Sequence, residues 1–309
     1  MPRAKVAVVG VVGRTNAGKS TLVNALVGEK VSIVSPVEQT TRNTIRGIVS
    51  DRRGQLVLLD TPGLHKAVGT LGTLLNRMAR RSAAGVDVTC VVFDAAQEPQ
   101  LEDVGWMRRV AKERPGKVLF VLNKADKSPF FEQMYHDAWR EAAEAGEDGD
   151  GALAASPVWV KATATAEGGA AAVLDALFDF AEEGERLFDD DIVTDYPRKL
   201  TIADAIREKF LSLLHEELPH ELGVVVRSVK DEGSRWRAEA EVLVNRPSQK
   251  PIVVGKAASV VKRARKGAER ELKEIFGLPV SLELWVRVEP GWMKNPKLLA
   301  EMGYLGELV

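Results

Sequence analysis

The segment GRTNAGKS at residues 13–20 restricts this chain more than any other feature of it. It closes the β-branched run VAVVGVVG and opens the helix-like stretch STLVNALVG, which is the setting that the pattern G-x-x-x-x-G-K-[ST] requires. Gly13, Arg14, Thr15, Asn16, Ala17 and Gly18 are then a cradle whose backbone N–H groups turn inward around a phosphate. The following helix N-terminus adds partial positive charge. Lys19 is placed to neutralise the β and γ phosphates of a nucleoside triphosphate, and Ser20 to ligate magnesium.

The first half of the chain repeats one unit, a β-branched apolar run, a turn and a helix-period stretch, as in a parallel sheet with crossover helices on both faces. After VAVVGVVG the candidate strands are QLVLLD, VDVTCVVFD, KVLFVLNK and PVWV. Ligands sit at strand ends in such sheets, and two further motifs fall there. Asp60-Thr61-Pro62-Gly63 reads as DxxG, with a carboxylate for the magnesium shell and a glycine N–H near the γ-phosphate. Asn123-Lys124-Ala125-Asp126 reads as NKxD, in which Asp126 accepts from the N1–H and exocyclic amine of guanine. Adenine lacks that donor pair, so the base is expected to be guanine, and a P-loop kinase using ATP is a poor alternative. Thr40 and Thr41 lie between the two phosphate motifs where a first switch belongs; one of them is expected to reach magnesium, with Thr41 favoured.

With 309 residues the chain exceeds what one core usually supports, so two domains are expected. The boundaries read as 1–182 for the nucleotide domain, 183–196 for a linker containing DDDIVTDYPRK, and 197–309 for a second domain. The small, acidic stretch 141–156 reads as a helix end running into a loop without a site. In the second domain a helix precedes VVVRSVK and RAEAEVLVN, which flank the turn DEGS as a hairpin. PSQKPIVVG, the basic helix SVVKRARKGAERELKEIFG and the strand VSLELWVRVE complete an α+β order.

Composition excludes several classes. The chain is 45% apolar and 28% charged, and no apolar run approaches the ~18 residues of a membrane span. No secretory signal opens it, so a cytoplasmic address is expected. Cys90, inside VTCVVF, reads as a buried structural thiol, and the 4 histidines show no metal-ligand spacing. A net charge of −1 argues against a wholly electrostatic nucleic-acid coat. The balance is nonetheless uneven: residues 196–309 hold 20 basic and 16 acidic side chains, and 250–273 hold eight against two.

GRTNAGKSTLVNALVG, QTTR, DTPGLHK and NKAD resemble the nucleotide motifs of the Era family of bacterial GTPases. PSQKPIVVGK and the ending LELWVRVEPGW resemble that family's type II KH domain, so the likeness covers nearly the whole chain and the domain order. The resemblance implies an α/β P-loop NTPase domain followed by an α+β KH domain, and GTP hydrolysis with magnesium. It implies binding of small-subunit (16S) ribosomal RNA near its 3′ end, assembly of the 30S subunit, a monomer, and a loose peripheral contact with the cell membrane. Leu64 stands where other GTPases place a water-orienting glutamine, so slow intrinsic turnover is expected, resting on Lys19, Thr41 and magnesium. Asn16 stands where related GTPases hold a potassium ion beside the phosphates.

Two motifs depart from the family pattern. The guanine-contacting SA motif after the fifth strand is degraded to Val160-Lys161-Ala162, with Thr163-Ala164 as the rival register; a backbone contact from Ala162 would survive the change. The KH loop GxxG becomes Gly255-Lys256-Ala257-Ala258, and Ala258 brings a methyl group and a φ penalty where the second glycine belongs. Lys262, Arg263, Arg265 and Lys266 follow it, with Arg270 further along. They read either as a solvated helix face or, next to that loop, as phosphate contacts. Trp285 is expected in the core and Trp292 at the surface. Two functions stay open: a GTP-hydrolysing ribosome-assembly factor, or a GTP-dependent switch for protein or membrane partners with weak RNA affinity.

Overall fold

The structure, a computed structural model, describes residues 4–34, 42–62, 85–145, 156–214 and 218–304. Thr40, Thr41, Gly63 and Leu64 lie outside the described residues, as does most of the acidic stretch 141–156. The chain divides into two compact units.

The first unit is built on β1 (Ala4–Val12), β2 (Ile45–Asp51), β3 (Gly54–Asp60), β4 (Val88–Asp94), β5 (Val118–Asn123) and β6 (Val158–Lys161), hydrogen-bonded in the order β2-β3-β1-β4-β5-β6. All neighbours are parallel except β2, which returns antiparallel to β3 through the turn at Arg52 and Arg53. Parallel strands covered on both faces need apolar residues at successive positions rather than alternate ones, and every residue of β4 and β5 is buried. One face packs Val9, Val11, Cys90 and Val121 against α1 (Lys19–Val27) and α4 (Ala171–Phe180). The other packs Val91, Phe93 and Phe120 against α2 (Leu101–Glu113) and α3 (Glu132–Glu144). Burial pushes the Cys90 thiol up to about 12, in keeping with a structural role.

Residues 183–195, read above as a connection, run along this unit. The short strand β7 (Glu182–Gly184) pairs antiparallel with the start of β1. Gln55 accepts from Leu187 and Phe188 N–H at 2.8 and 3.0 Å, and Ile48 N–H donates to the Val193 carbonyl at 2.8 Å. The strand β2 carries no sequence signature of its own, since IRGIVSD lacks a sustained apolar run.

The second unit contains α5 (Arg198–Leu213), α6 (Leu218–Glu221), β8 (Gly223–Asp231), β9 (Trp236–Val244), α7 (Gln249–Val254), α8 (Ser259–Phe276), β10 (Val280–Val288) and α9 (Pro296–Glu301). Its sheet runs β10-β9-β8, antiparallel between β8 and β9 and parallel between β9 and β10. The helices α5 and α8 share one core with Ala238, Ala240 and Val242 of β9. Ala264 and Ala268 are the small residues on the buried face of α8, and beside them Lys209 of α5 pairs with Glu271.

Ile33, Val34, Arg42 and Asn43 also belong to this second unit. Val34 N–H donates to Glu208 Oε2 at 3.2 Å, and Arg42 donates to the Leu222 carbonyl at 3.0 Å. The Asn43 amide donates to Tyr196 Oη at 2.7 Å and to the Met302 carbonyl at 3.0 Å. Tyr196 in turn donates to Asp204 at 2.8 Å.

Both tryptophan expectations are corrected. Trp285 is 51% exposed, because in LELWVRV the residues Leu282, Leu284 and Val286 share the core phase and Trp285 falls with Glu283 and Arg287. Trp292 is 0% exposed, and its Nε1–H donates to the Glu221 carbonyl at 3.0 Å, a partner distant in sequence. Among the described residues no helix is long and apolar enough to cross a membrane.

Candidate nucleotide site and nucleic-acid interface

The phosphate cradle lies at the C-terminal edge of the first sheet, between β1 and α1. Its geometry depends on Asn123, the last residue of β5. The Asn123 amide donates to the Ala17 carbonyl at 3.0 Å, and its Oδ1 accepts the Ala164 N–H at 3.2 Å. One buried side chain thus ties the cradle to the loop after β6. This explains Gly18, which sits at φ 96° at the start of α1: a Cβ there would lie 2.2 Å from Asn123 Nδ2.

Lys19 is buried and donates to the Arg14 carbonyl at 2.8 Å, closing the cradle on itself. Burial lowers its pKa to about 8, opposed by the charge of Asp60 and reinforced by that of Arg14. Asp60, at the end of β3, is 0% exposed. Burial raises its pKa, while the Lys19 charge and the nearby Ser20 and Ser32 hydroxyls act in the opposite direction. Neither Asp60 oxygen makes a hydrogen bond of good geometry. A buried carboxylate with free lone pairs, beside a serine hydroxyl on the first turn of a helix, is a donor set that fits a hard divalent cation. Thr61 is turned away from this position, donating from Oγ1 to the Val11 carbonyl at 2.9 Å, and Pro62 is buried next to it.

Lys124 and Arg14 converge on two aspartates that the motifs did not mark. Lys124 Nζ lies 2.8 Å from Asp94 Oδ2 at the end of β4 and 3.1 Å from the Asn16 carbonyl. The Arg14 guanidinium reaches Asp94 at 3.4 Å, Asp103 at 3.1 Å and the Gln97 carbonyl oxygen of the side chain at 3.0 Å. Asp103 belongs to the capping box that starts α2, accepting the Gln100 N–H at 3.0 Å, and Tyr135 Oη donates to the Asp94 carbonyl at 3.0 Å. Burial raises the Asp103 carboxyl, and the Gln100 N–H and Arg14 act against it. The signal available in the sequence was Asp94's place at a strand end, shared with Asp60 and Asn123.

The other guanine-motif residues surround this network. Asp126 is exposed, 3.4 Å from the Lys127 ammonium. Ala162 is held in the sheet, its N–H donating to the Leu122 carbonyl at 3.0 Å while its carbonyl accepts from Ala125 at 3.0 Å. In the rival register, Ala164 is the residue bonded to Asn123. Asn16 is exposed in a left-handed conformation at φ 60°, and Thr15 is half-buried beside it.

In the second unit, Gly255, Lys256, Ala257 and Ala258 form the turn between α7 and α8. Gly255 has φ 74°, and a Cβ on it would lie 2.8 Å from the Val260 nitrogen. Ala257 and Ala258 both adopt left-handed φ, 51° and 59°, so the loop keeps a glycine-type backbone without its second glycine. The Lys262 ammonium donates to the Ala257 carbonyl at 3.1 Å. Lys262, Arg263 and Lys266 are exposed, whereas Arg265 is half-buried, 4.0 Å from Glu269.

Comparison with known proteins agrees with this division. Residues 8–124 match the family model described as 50S ribosome-binding GTPase, and residues 217–293 match that of the KH domain. The chain is 34% identical to GTPase Era of Nostoc sp. over 305 residues, 98% of this chain and 90% of that protein. It is 36% identical to GTPase Era of Caldanaerobacter subterraneus subsp. tengcongensis, covering 96% of each. A crystal structure of Era in complex with MgGDPNP and nucleotides 1506–1542 of 16S ribosomal RNA superposes with a TM-score of 0.85 at 32% identity, covering 97% of this chain and 99% of that one. Aquifex aeolicus Era bound to GDP and AlF4− gives the same TM-score, identity and coverage.

Proposed function

The chain belongs to the Era family of GTPases, and we propose that it hydrolyses GTP and binds small-subunit (16S) ribosomal RNA near the 3′ end, acting in assembly of the 30S subunit in the cytoplasm. The observation that carries this reading is the Asn123 amide, which holds the phosphate cradle and the loop after β6 at once. A nucleotide engaging both is fixed at its phosphates and at its base. Asp126, two residues beyond Lys124, is then the acceptor that selects guanine.

Ser20 and Asp60, with Thr41 from the segment before β2, would hold magnesium, which neutralises charge on the β and γ phosphates. Lys19 and the cradle N–H groups supply the remaining positive field. With Leu64 in place of a glutamine, turnover by the isolated chain is slow. The relative solved with a GTP analogue and a 16S fragment supports the RNA half of the proposal, as does the turn conformation kept by Gly255–Ala258 beside four cations.

Nucleotide competition tests the first half. Asp126→Asn should weaken GTP about a hundredfold or more and raise the affinity for xanthosine triphosphate, since the acceptor becomes a donor. Filter binding of a 16S 3′-end fragment, with a GTP analogue or GDP at several salt concentrations, tests the second. RNA binding without sequence preference would leave a GTP-dependent switch for protein or membrane partners in its place.

A further inference from the structure

The second unit has an open, solvent-exposed cavity of about 700 Å3 on its surface, where the C-terminal half of α8 meets the start of β10. Lys266, Arg270, Lys273 and Arg235 line it, with Pro279 and Ser281 opposite. Arg235 is paired with Glu232 at 2.7 Å. Glu269, also at the cavity, has its carboxylate committed to the Leu282 N–H at 2.9 Å and to Arg265. Lys266, Arg270 and Lys273 are exposed and make no ion pair with any described residue.

A solvated helix face looks different elsewhere in this chain. Arg109 on α2 and Arg140 on α3 each have a carboxylate about one turn away, Glu113 and Asp137, and pair with it. On α8 Glu269 lies three residues from Lys266 and four from Lys273, and Glu274 four from Arg270, yet none of these three cations pairs with either carboxylate, Glu269 being taken by Arg265 and the Leu282 N–H. Lys262, Lys266, Arg270 and Lys273 recur at intervals of four, four and three residues. They therefore form one stripe, about 16 Å long at 1.5 Å rise per residue. The stripe starts at the Gly255–Ala258 turn, where Lys262 is bonded to Ala257, and ends in the cavity. A concave surface carrying cations of one sign concentrates polyanions. No exposed large apolar side chain lines it to favour a lipid surface.

We propose that this cavity binds the phosphate backbone of RNA continuing beyond the segment held at the Gly255–Ala258 turn, so that the interface runs the length of α8. The inference rests on the RNA-binding reading above and adds Arg270 and Lys273 to it. Fluorescence anisotropy with the full chain, titrated across salt concentration, tests it with two RNAs. One is a short single-stranded segment from the 16S 3′ end; the other is that segment extended at both ends. Each neutralised phosphate contributes about 0.7 to the slope of log K against log salt, so Arg270→Gln with Lys273→Gln should lower the slope on the extended RNA by about 1.4. Its binding to the short RNA should match that of the unaltered chain, which also controls for folding. Lys256→Asp with Ala257→Asp should weaken both RNAs.

An unchanged slope on the extended RNA in the Arg270 and Lys273 variant, with the loop variant failing on both RNAs, overturns the cavity proposal alone. An unaltered chain that binds neither RNA overturns the RNA-binding reading and this proposal together. Sedimentation with phosphatidylglycerol vesicles that is lost in the Arg270 and Lys273 variant, with its RNA slope unchanged, assigns the cavity to a membrane and also overturns the proposal.

Discussion

Lys124 Nζ stands 2.8 Å from Asp94 Oδ2, and this one contact joins the guanine motif to the end of a neighbouring strand. The same ammonium reaches the Asn16 carbonyl in the phosphate cradle at 3.1 Å. Asp94 thereby positions Lys124, and through Arg14 it also steadies the cradle.

Asp94→Asn keeps the shape of that side chain and removes its charge. A hydrogen bond to a charged group is worth about 1.5–3 kcal/mol, so GTP and GDP should both bind roughly ten- to a hundredfold more weakly. Arg14 keeps its closer partner Asp103 at 3.1 Å in the variant, so the larger part of the effect falls on Lys124. Fluorescent-nucleotide titration reads it, and unchanged affinity would mean that the Asn16 carbonyl alone positions Lys124.

Lys19 predicts a pH dependence. Burial lowers its pKa in the folded chain to about 8, below the 10.5 of a free lysine, so between these values the unfolded chain holds a proton that the folded chain has lost. The Lys19 contribution to stability therefore grows as pH rises through that window. A triphosphate beside the ammonium raises the pKa again, so nucleotide binding above pH 8 takes up a proton. Affinity should then fall with pH, by at most about tenfold per unit. Calorimetry in buffers of different ionisation enthalpy should detect the uptake in the unaltered chain and none in Lys19→Met.

Asn16 is exposed at the rim of the cradle in a left-handed conformation. With a potassium ion held there, hydrolysis should be severalfold faster in potassium than in sodium, and Asn16→Ala should abolish the difference. Equal rates in the two salts for the unaltered chain would remove potassium from the mechanism.

Ala258 at φ 59° carries the cost of a left-handed non-glycine residue, about 1–2 kcal/mol. Glycine relieves that cost but gives back about 0.4–1 kcal/mol through the freedom of the unfolded chain. Ala258→Gly should thus stabilise the turn by a net ~0.5–1 kcal/mol and tighten RNA binding roughly two- to fivefold. Thermal unfolding and the RNA titration check the two parts separately.

Local patterns made much of this protein readable. Continuous apolar runs marked the buried parallel strands, and Asp60 and Asn123 were identifiable because their motifs fall at strand ends. Asp94 shares that strand-end place but lies in no motif, and Asp103 has no local signal, since their roles appear only when a guanidinium and an ammonium arrive from distant parts of the chain. At Trp285 an apolar residue takes the outward phase of its strand, since strict alternation places the ring with Glu283 and Arg287. Trp292 had no local signal, because its burial depends on the Glu221 carbonyl.

The amino-acid order alone determined the phosphate cradle, the choice of guanine and the buried parallel strands of the first unit, because each is written in residues a few positions apart. Folding decided which charges are neutralised. It gave Lys124 and Arg14 their aspartates and left Lys266, Arg270 and Lys273 around a cavity without ion-pair partners among the described residues. Electrostatic pairing depends on distance in space, and only the tertiary structure sets that distance.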